Sequence, residues 1–170
     1  MRALSIALLV ICLAGCYETE KPLLDKGEKT AFSGKFSCKN SISGKTSMLN
    51  ITEQKEGFWP FATYRYVDGD GGTYLFKKLP TGMFLWQGKG KQGTYRYLYL
   101  DATDKNTLIF LIPDLMSKAP YIDVLVKKYK IETAKGFEAI RLKGDNSALL
   151  DFLGAHDKTH LSAVAACQRQ

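Results

Sequence analysis

The sequence predicts an α+β domain: an antiparallel β-meander of about seven strands, followed by a helix, a strand and a second helix packed on the sheet. Three observations predict it. From Phe32 to Ile112 the chain is rich in aromatic and β-branched residues, with polar breaks roughly every 8 to 12 residues, the spacing of short antiparallel strands. Two of those breaks, "DGDGG" at Asp68 to Gly72 and "GKGKQG" at Gly88 to Gly93, supply residues that tolerate the positive φ of tight hairpin turns. After Pro113 the apolar residues change to helical spacing.

Taken in order, the expected strands are Phe32 to Cys38, Thr46 to Glu53, Ala62 to Val67, Thr73 to Leu79, Met83 to Gln87, Thr94 to Asp101 and Thr107 to Ile112. In "TYRYLYLD", Tyr95, Tyr97 and Tyr99 share one face, and Thr94, Arg96, Leu98 and Leu100 share the other, so both faces carry large groups. The tetrapeptide "TYRY" occurs at Thr63 to Tyr66 and again at Thr94 to Tyr97, which shared strand composition explains as well as duplication does. Tyr121 to Tyr129 follows Pro120 and places Ile122, Leu125, Val126 and Tyr129 on one side, with Lys127, Lys128 and Lys130 where a helix dipole favours cations. Phe137 to Leu142 alternates enough for a strand. Asp145 or Asn146 can cap a last helix through "SALLDFLGAHDKTHL".

The N-terminus carries Arg2 and then an uncharged stretch from Ala3 to Gly15, shorter than the roughly 20 residues a membrane span needs and ending in small residues. That is the pattern of a secretion signal. Leu13, Ala14, Gly15 and Cys16 resemble the lipobox of bacterial lipoproteins, an aliphatic residue, a small residue, Gly or Ala, then Cys. The resemblance implies cleavage after Gly15, diacylglycerol on the Cys16 sulfur and acylation of the new amino group; an ordinary cleaved signal followed by a thiol is the alternative. Tyr17 follows the cysteine, rather than the Asp that retains such proteins at the inner membrane of enteric bacteria, so the resemblance implies the outer membrane, facing the periplasm. Residues 1–15 are then a signal peptide, 16–30 a polar lipidated tether and 31–170 one globular domain.

With Cys12 lost and Cys16 lipidated, Cys38 and Cys167 remain as a pair in an oxidising compartment, where a disulfide is expected, two buried thiols being the alternative. Neither lies in a CxxC. The chain has 170 residues and net charge +7. Losing Arg2 lowers the charge by one, leaving a basic surface suited to a membrane rich in anionic groups. Nucleic acid is a poor partner outside the cytoplasm.

Catalytic patterns are sparse. His156 and His160 are four apart in "HDKTH", the spacing of two zinc ligands on one helix face, but Asp157 stands where a zinc peptidase has Glu and no third ligand is identifiable. "DGDGG" lacks the later ligands of a calcium loop. No GxSxG occurs. No catalytic residue, metal ligand or cofactor is therefore expected. Aromatic density is the stronger feature. Trp59, Trp86, Lys89, Lys91 and Arg96 are the candidate binding residues, because exposed rings beside cations stack on sugars or anchor protein interfaces; burial of the rings as core is the competing expectation. The basic, Gly-rich "WQGKGKQG" resembles the lysozyme-inhibitor class of small envelope lipoproteins, which implies Lys89 or Lys91 of the Gly88 to Gly93 loop meeting a pair of active-site carboxylates. The expected function is non-enzymatic: a lipoprotein whose β-rich domain binds another envelope component, protein or peptidoglycan, with the inhibitor and a metal-dependent hydrolase using His156 and His160 as alternatives.

Overall fold

The structure, a computed structural model, describes residues 16–58, 60–90, 93–102, 104–114, 119–135 and 139–170. Leu13 to Gly15 of the lipobox, Trp59 and Lys91 lie outside them. The described residues form eleven strands in one sheet, which closes on itself. In chain order they are β1 (Cys16–Thr19), β2 (Gly34–Asn40), β3 (Thr46–Glu56), β4 (Thr63–Asp68), β5 (Thr73–Lys78), β6 (Phe84–Lys89), β7 (Tyr95–Asp101), β8 (Thr107–Pro113), helix α1 (Ala119–Tyr129), β9 (Glu132–Lys135), β10 (Ala139–Lys143), helix α2 (Asn146–Gly154), a 3-10 turn (Lys158–His160) and β11 (Leu161–Arg169).

The seven expected meander strands are all present, yet the architecture is not a meander with helices packed on a sheet. It is a closed eight-stranded antiparallel β-barrel, β2 to β8 plus β11, with β11 pairing both β2 and β8. The expected last helix accounts for the difference. It ends at Gly154, and the chain turns through Lys158–His160 into β11. Alanine-rich "LSAVAACQR" lacks strict alternation because the register shifts between Ala163 and Ala165, so that Val164 and Ala165 are buried in succession. Closure removes the edges that an open meander would leave as unpaired backbone.

Alternation sorts every barrel strand into an inner and an outer face. Phe36, Cys38, Leu49, Ile51, Tyr66, Phe76, Leu98, Leu100, Leu108, Ile112 and Cys167 point inward and form one packed cluster. Lys35, Lys39, Asn50, Gln54, Arg65 and Gln168 lie on the outer face of β2, β3, β4 and β11. An apolar interior with a polar exterior is the reverse of a transmembrane barrel. At one rim Arg169 lies over the Phe36 ring and donates to the carbonyls of Ala31, Ser33 and Lys105. Phe32 enters the same end edge-on to Phe76 and Phe84.

The outer face of β6, β7 and β8 is covered instead. The excursion between β8 and β11 lays α1 and α2 over Leu85, Tyr97, Tyr99 and Leu111, adding Ile122, Leu125, Leu149, Phe152 and Leu153 to a second cluster. β7 is thus buried on both sides, the reason its alternate residues are all large.

The segment expected as a tether, 16–30, is part of this fold. β1 runs antiparallel to β7, with Tyr17 opposite Tyr97, and parallel to β10, with Glu18 opposite Arg141. Leu23 and Leu24 are buried against the second cluster. Beyond them the chain passes between β4 and β5, which pair only at Tyr66↔Tyr74 and Val67↔Thr73. There Tyr64 N donates to Gly27 O and Glu28 N to Phe76 O, so that residues 27 and 28 fill the gap in the wall. Gly27 is required by that closeness, since a Cβ would collide with the Tyr64 carbonyl oxygen.

Candidate functional site

The hairpin connections fall at two rims. The described residues after β3, β5 and β7 lie at one; those after β2, β4 and β6 lie at the other, with the helical excursion. Of the sequence-predicted binding residues, Trp86, Lys89 and Arg96 lie at the second rim or in the wall leading to it, whereas Trp59 and Lys91 lie outside the described residues. The indole of Trp86 faces inward, half-buried, tilted over Tyr74 at 4.8 Å between ring centroids. It folds across Gly88, where a side chain would occupy its place. Arg96 also faces inward and is 8% exposed, so it presents no guanidinium to a surface partner. Lys89 is exposed where β6 ends, and Gly90 N donates to Thr94 O to close the hairpin. These residues do not converge on one site. Trp86 and Arg96 are structural, and Lys89 points away from them.

The two histidines separate as well. His156 is fully buried after the end of α2. Its Nδ1 lies 3.0 Å from Phe152 O and its Nε2 3.0 Å from the Tyr17 hydroxyl. The carbonyl can only accept, so Nδ1 carries the proton and Tyr17 donates to Nε2, which occupies both ring nitrogens. Burial, with the nearby His160, pushes the His156 pKa down from 6.5 to about 4, against the opposing pull of the Phe152 carbonyl and Asp157. His160 stacks flat on Tyr121 at 3.4 Å, its Nδ1 3.0 Å from Asp157 Oδ1 but not aligned as a hydrogen bond. Asp157 accepts from the Thr159 hydroxyl, which chiefly holds its carboxyl below the usual range, and from Thr159 N, by which it caps the 3-10 turn. Among the described residues no group of three or more His, Cys, Asp or Glu could hold a metal ion.

Cys38 and Cys167 face each other across β2 and β11 and are joined by a disulfide, Cα–Cα 3.9 Å apart. Cys16 is fully buried in the inner cluster, at the end of β1 nearer the rim of the 57–62 loop.

A further concavity lies elsewhere, where the N-terminal segment crosses β4 and β5. It is a groove of about 510 Å³ between the N-terminal segment, Leu23 to Lys29, and Pro60, Ala62, Tyr64 and Lys77. Lys26, Lys29 and Lys77 line it without an ion-pair partner among the described residues. Lys29 Nζ lies 6.0 Å over the Tyr64 ring. Of the two acids there, Glu28 accepts from Lys78 N and Asp25 is exposed. The segment is clamped by side chains. Gln87 Oε1 accepts from the N–H groups of Leu23 and Leu24 at 2.9 and 2.7 Å, its Nε2 donates to Leu24 O, and the Tyr97 hydroxyl reaches both Leu23 N and Gln87.

Comparison with protein-family models, curated proteins and solved structures finds no match.

Sequence alone does not show the groove, because most of its lining, Leu23 to Lys29, lies in a polar stretch that reads as a tether. The signal that could have exposed it is Leu23-Leu24, an apolar pair in an otherwise polar run, which a solvated linker has no reason to carry.

Proposed function

We propose that this chain is a lipid-anchored, non-enzymatic binding module of the bacterial cell envelope, held at the outer membrane on the periplasmic side by acyl chains on Cys16 and recognising another envelope component, protein or glycan. The observation that carries the binding reading is the filled barrel. Its interior is packed with side chains rather than open to a ligand, so recognition falls to the outside, where the groove offers three unpartnered lysines beside an aromatic ring. The compartment is supported by the Cys38 to Cys167 disulfide, since such bonds persist in oxidising surroundings. Lipidation requires Cys16, fully buried in the inner cluster here, to leave that cluster.

Growth with labelled palmitate tests the anchor: the parent incorporates label and Cys16→Ser does not, whereas equal incorporation removes the lipid from the proposal. Pull-down of envelope components with the intact lipidated protein, against a Lys26→Gln/Lys29→Gln/Lys77→Gln variant, tests the groove. A partner retained equally by both places recognition elsewhere. The inhibitor reading rests on exposed Lys89 at a hairpin end. Its test is loss of lysozyme inhibition in Lys89→Ala/Lys91→Ala, and an inactive parent ends it.

A further inference from the structure

We infer that the 57–62 loop is a membrane-contacting tip, in which Phe58 and Phe61 enter the headgroup boundary of a bilayer while Lys26, Lys29 and Lys77 behind them meet lipid phosphates. Phe58 is 74% and Phe61 70% exposed, and both stand on one turn closed by Phe61 N donating to Phe58 O at 2.8 Å. Their rings meet edge to face at 6.4 Å between centroids, so they form a single apolar knob rather than two scattered residues. Such a knob at a loop tip has a use where it leaves water.

Charge selects the surface it enters. Pro60 and Ala62 of this loop are also a wall of the groove that carries the three lysines. Of the neighbouring carboxylates, Glu56 is ion-paired with Arg65 at 3.2 Å, whereas Glu53 and Glu28 accept from the neutral Tyr66 hydroxyl and Lys78 N–H and keep their charge. Asp25 and Glu28 line the groove against Lys26, Lys29 and Lys77, which leaves a surplus of one positive charge behind the knob. Apolar rings in front of a basic collar match the layering of a bilayer, acyl chains beneath a plane of phosphates. A protein partner would instead need a pocket for the rings and a separate acidic rim. The contact goes beyond the lipid anchor and does not depend on it, although Cys16 lies toward the same rim.

The test uses the full chain reconstituted in vesicles of phosphatidylethanolamine and phosphatidylglycerol with brominated acyl chains, which quench indole fluorescence on contact. Trp86→Phe leaves Trp59, between Phe58 and Pro60, as the sole reporter; Trp59→Phe leaves Trp86 in the barrel wall. The expected result is quenching several-fold greater for Trp59 than for Trp86, abolished by Phe58→Ser/Phe61→Ser with little change in melting temperature, because both rings are exposed. Lys26→Gln/Lys29→Gln/Lys77→Gln removes the dependence of that quenching on phosphatidylglycerol and on salt. Equal quenching of the two indoles, or quenching of Trp59 undiminished by the serine pair, overturns the inference. Because an anchor would hold parent and variants alike, its failure is read separately, as protein left unbound. In that case greater sedimentation of the parent than of the serine pair with the vesicles supports the loop contact, and equal sedimentation overturns it.

Discussion

The same four residues, Thr-Tyr-Arg-Tyr, serve β4 and β7 in opposite phase. In β4, Tyr66 points into the barrel and Arg65 outward, where it pairs with Glu56 with both side chains about half exposed. In β7, Tyr97 points outward beneath the helical layer and Arg96 inward, 8% exposed. A strand reads its own alternation but not which face the rest of the chain will cover. The two tyrosines nonetheless share a task. Tyr66 Oη accepts from Thr30 N at 2.7 Å, as Tyr97 Oη accepts from Leu23 N at 3.0 Å, so each hydroxyl grips the N-terminal segment at a different point along it. Tyr97 is the more deeply desolvated, its pKa pushed up to about 12 by burial; that of Tyr66 is raised by the same cause.

Acid should break the symmetry most. His156 belongs to the layer over β7 and has no counterpart over β4. Its folded pKa of about 4 lies below the ordinary 6.5, so between those values the unfolded chain binds a proton that the folded one refuses. Its contribution to stability is therefore whole above about pH 6.5 and is lost as pH falls through about 4, on the order of 3 kcal/mol for a shift of this size. Of the groups around it, Tyr17, Tyr99, Tyr121 and Phe152 carry no charge, Asp157 compensates only in part, and His160 adds a like charge when protonated. Denaturant titrations at pH 7 and pH 4.5 should show His156→Gln less stable than the parent at pH 7 and the difference shrinking at pH 4.5. A difference independent of pH would remove the buried imidazole from the account.

A smaller effect sharpens the comparison of the two hydroxyls. Tyr97→Phe should cost about 1 to 2 kcal/mol, since it withdraws a buried partner from Leu23 N, Thr19 and Gln87 together. Tyr66→Phe should cost about 1 kcal/mol or less, because its partners, Thr30 N, the Glu28 carbonyl and Glu53, are only part-buried and water can replace the hydroxyl. Chemical unfolding of both variants checks the order. Reversal would mean that the N-terminal segment is held chiefly at β4.

The least effect belongs to the exposed arginine. Arg65→Ala should change stability by no more than about 0.5 kcal/mol, as an ion pair in water contributes little. A thermal melt more than a few degrees below the parent would show that Arg65 packs as well as pairs.

The positions of β2 to β8 and β10, the helix at 119–129, the second helix start and the disulfide partners were legible in the sequence, because each depends on neighbours a few residues away or on the count of cysteines. Barrel closure was not. It rests on Leu161–Arg169, whose alanines and bulge erase the period-two pattern, and its two partners are separated from it by an intervening excursion and by most of the chain. The groove was hidden for a related reason. Its wall is a polar stretch with no pattern of its own, ordered by Gln87, Tyr97, Thr63 and Tyr66.

By itself, then, the sequence determined where β2 to β8, β10 and the starts of both helices would form and which two cysteines would be left to meet, since local stereochemistry and composition decide those. Only the tertiary structure decided that the sheet closes, that Tyr97 and Arg96 exchange the roles held by Tyr66 and Arg65, and that Leu23 to Phe32 completes the wall. Those outcomes depend on which surfaces bury one another, and burial is a property of pairs of distant segments rather than of either segment alone.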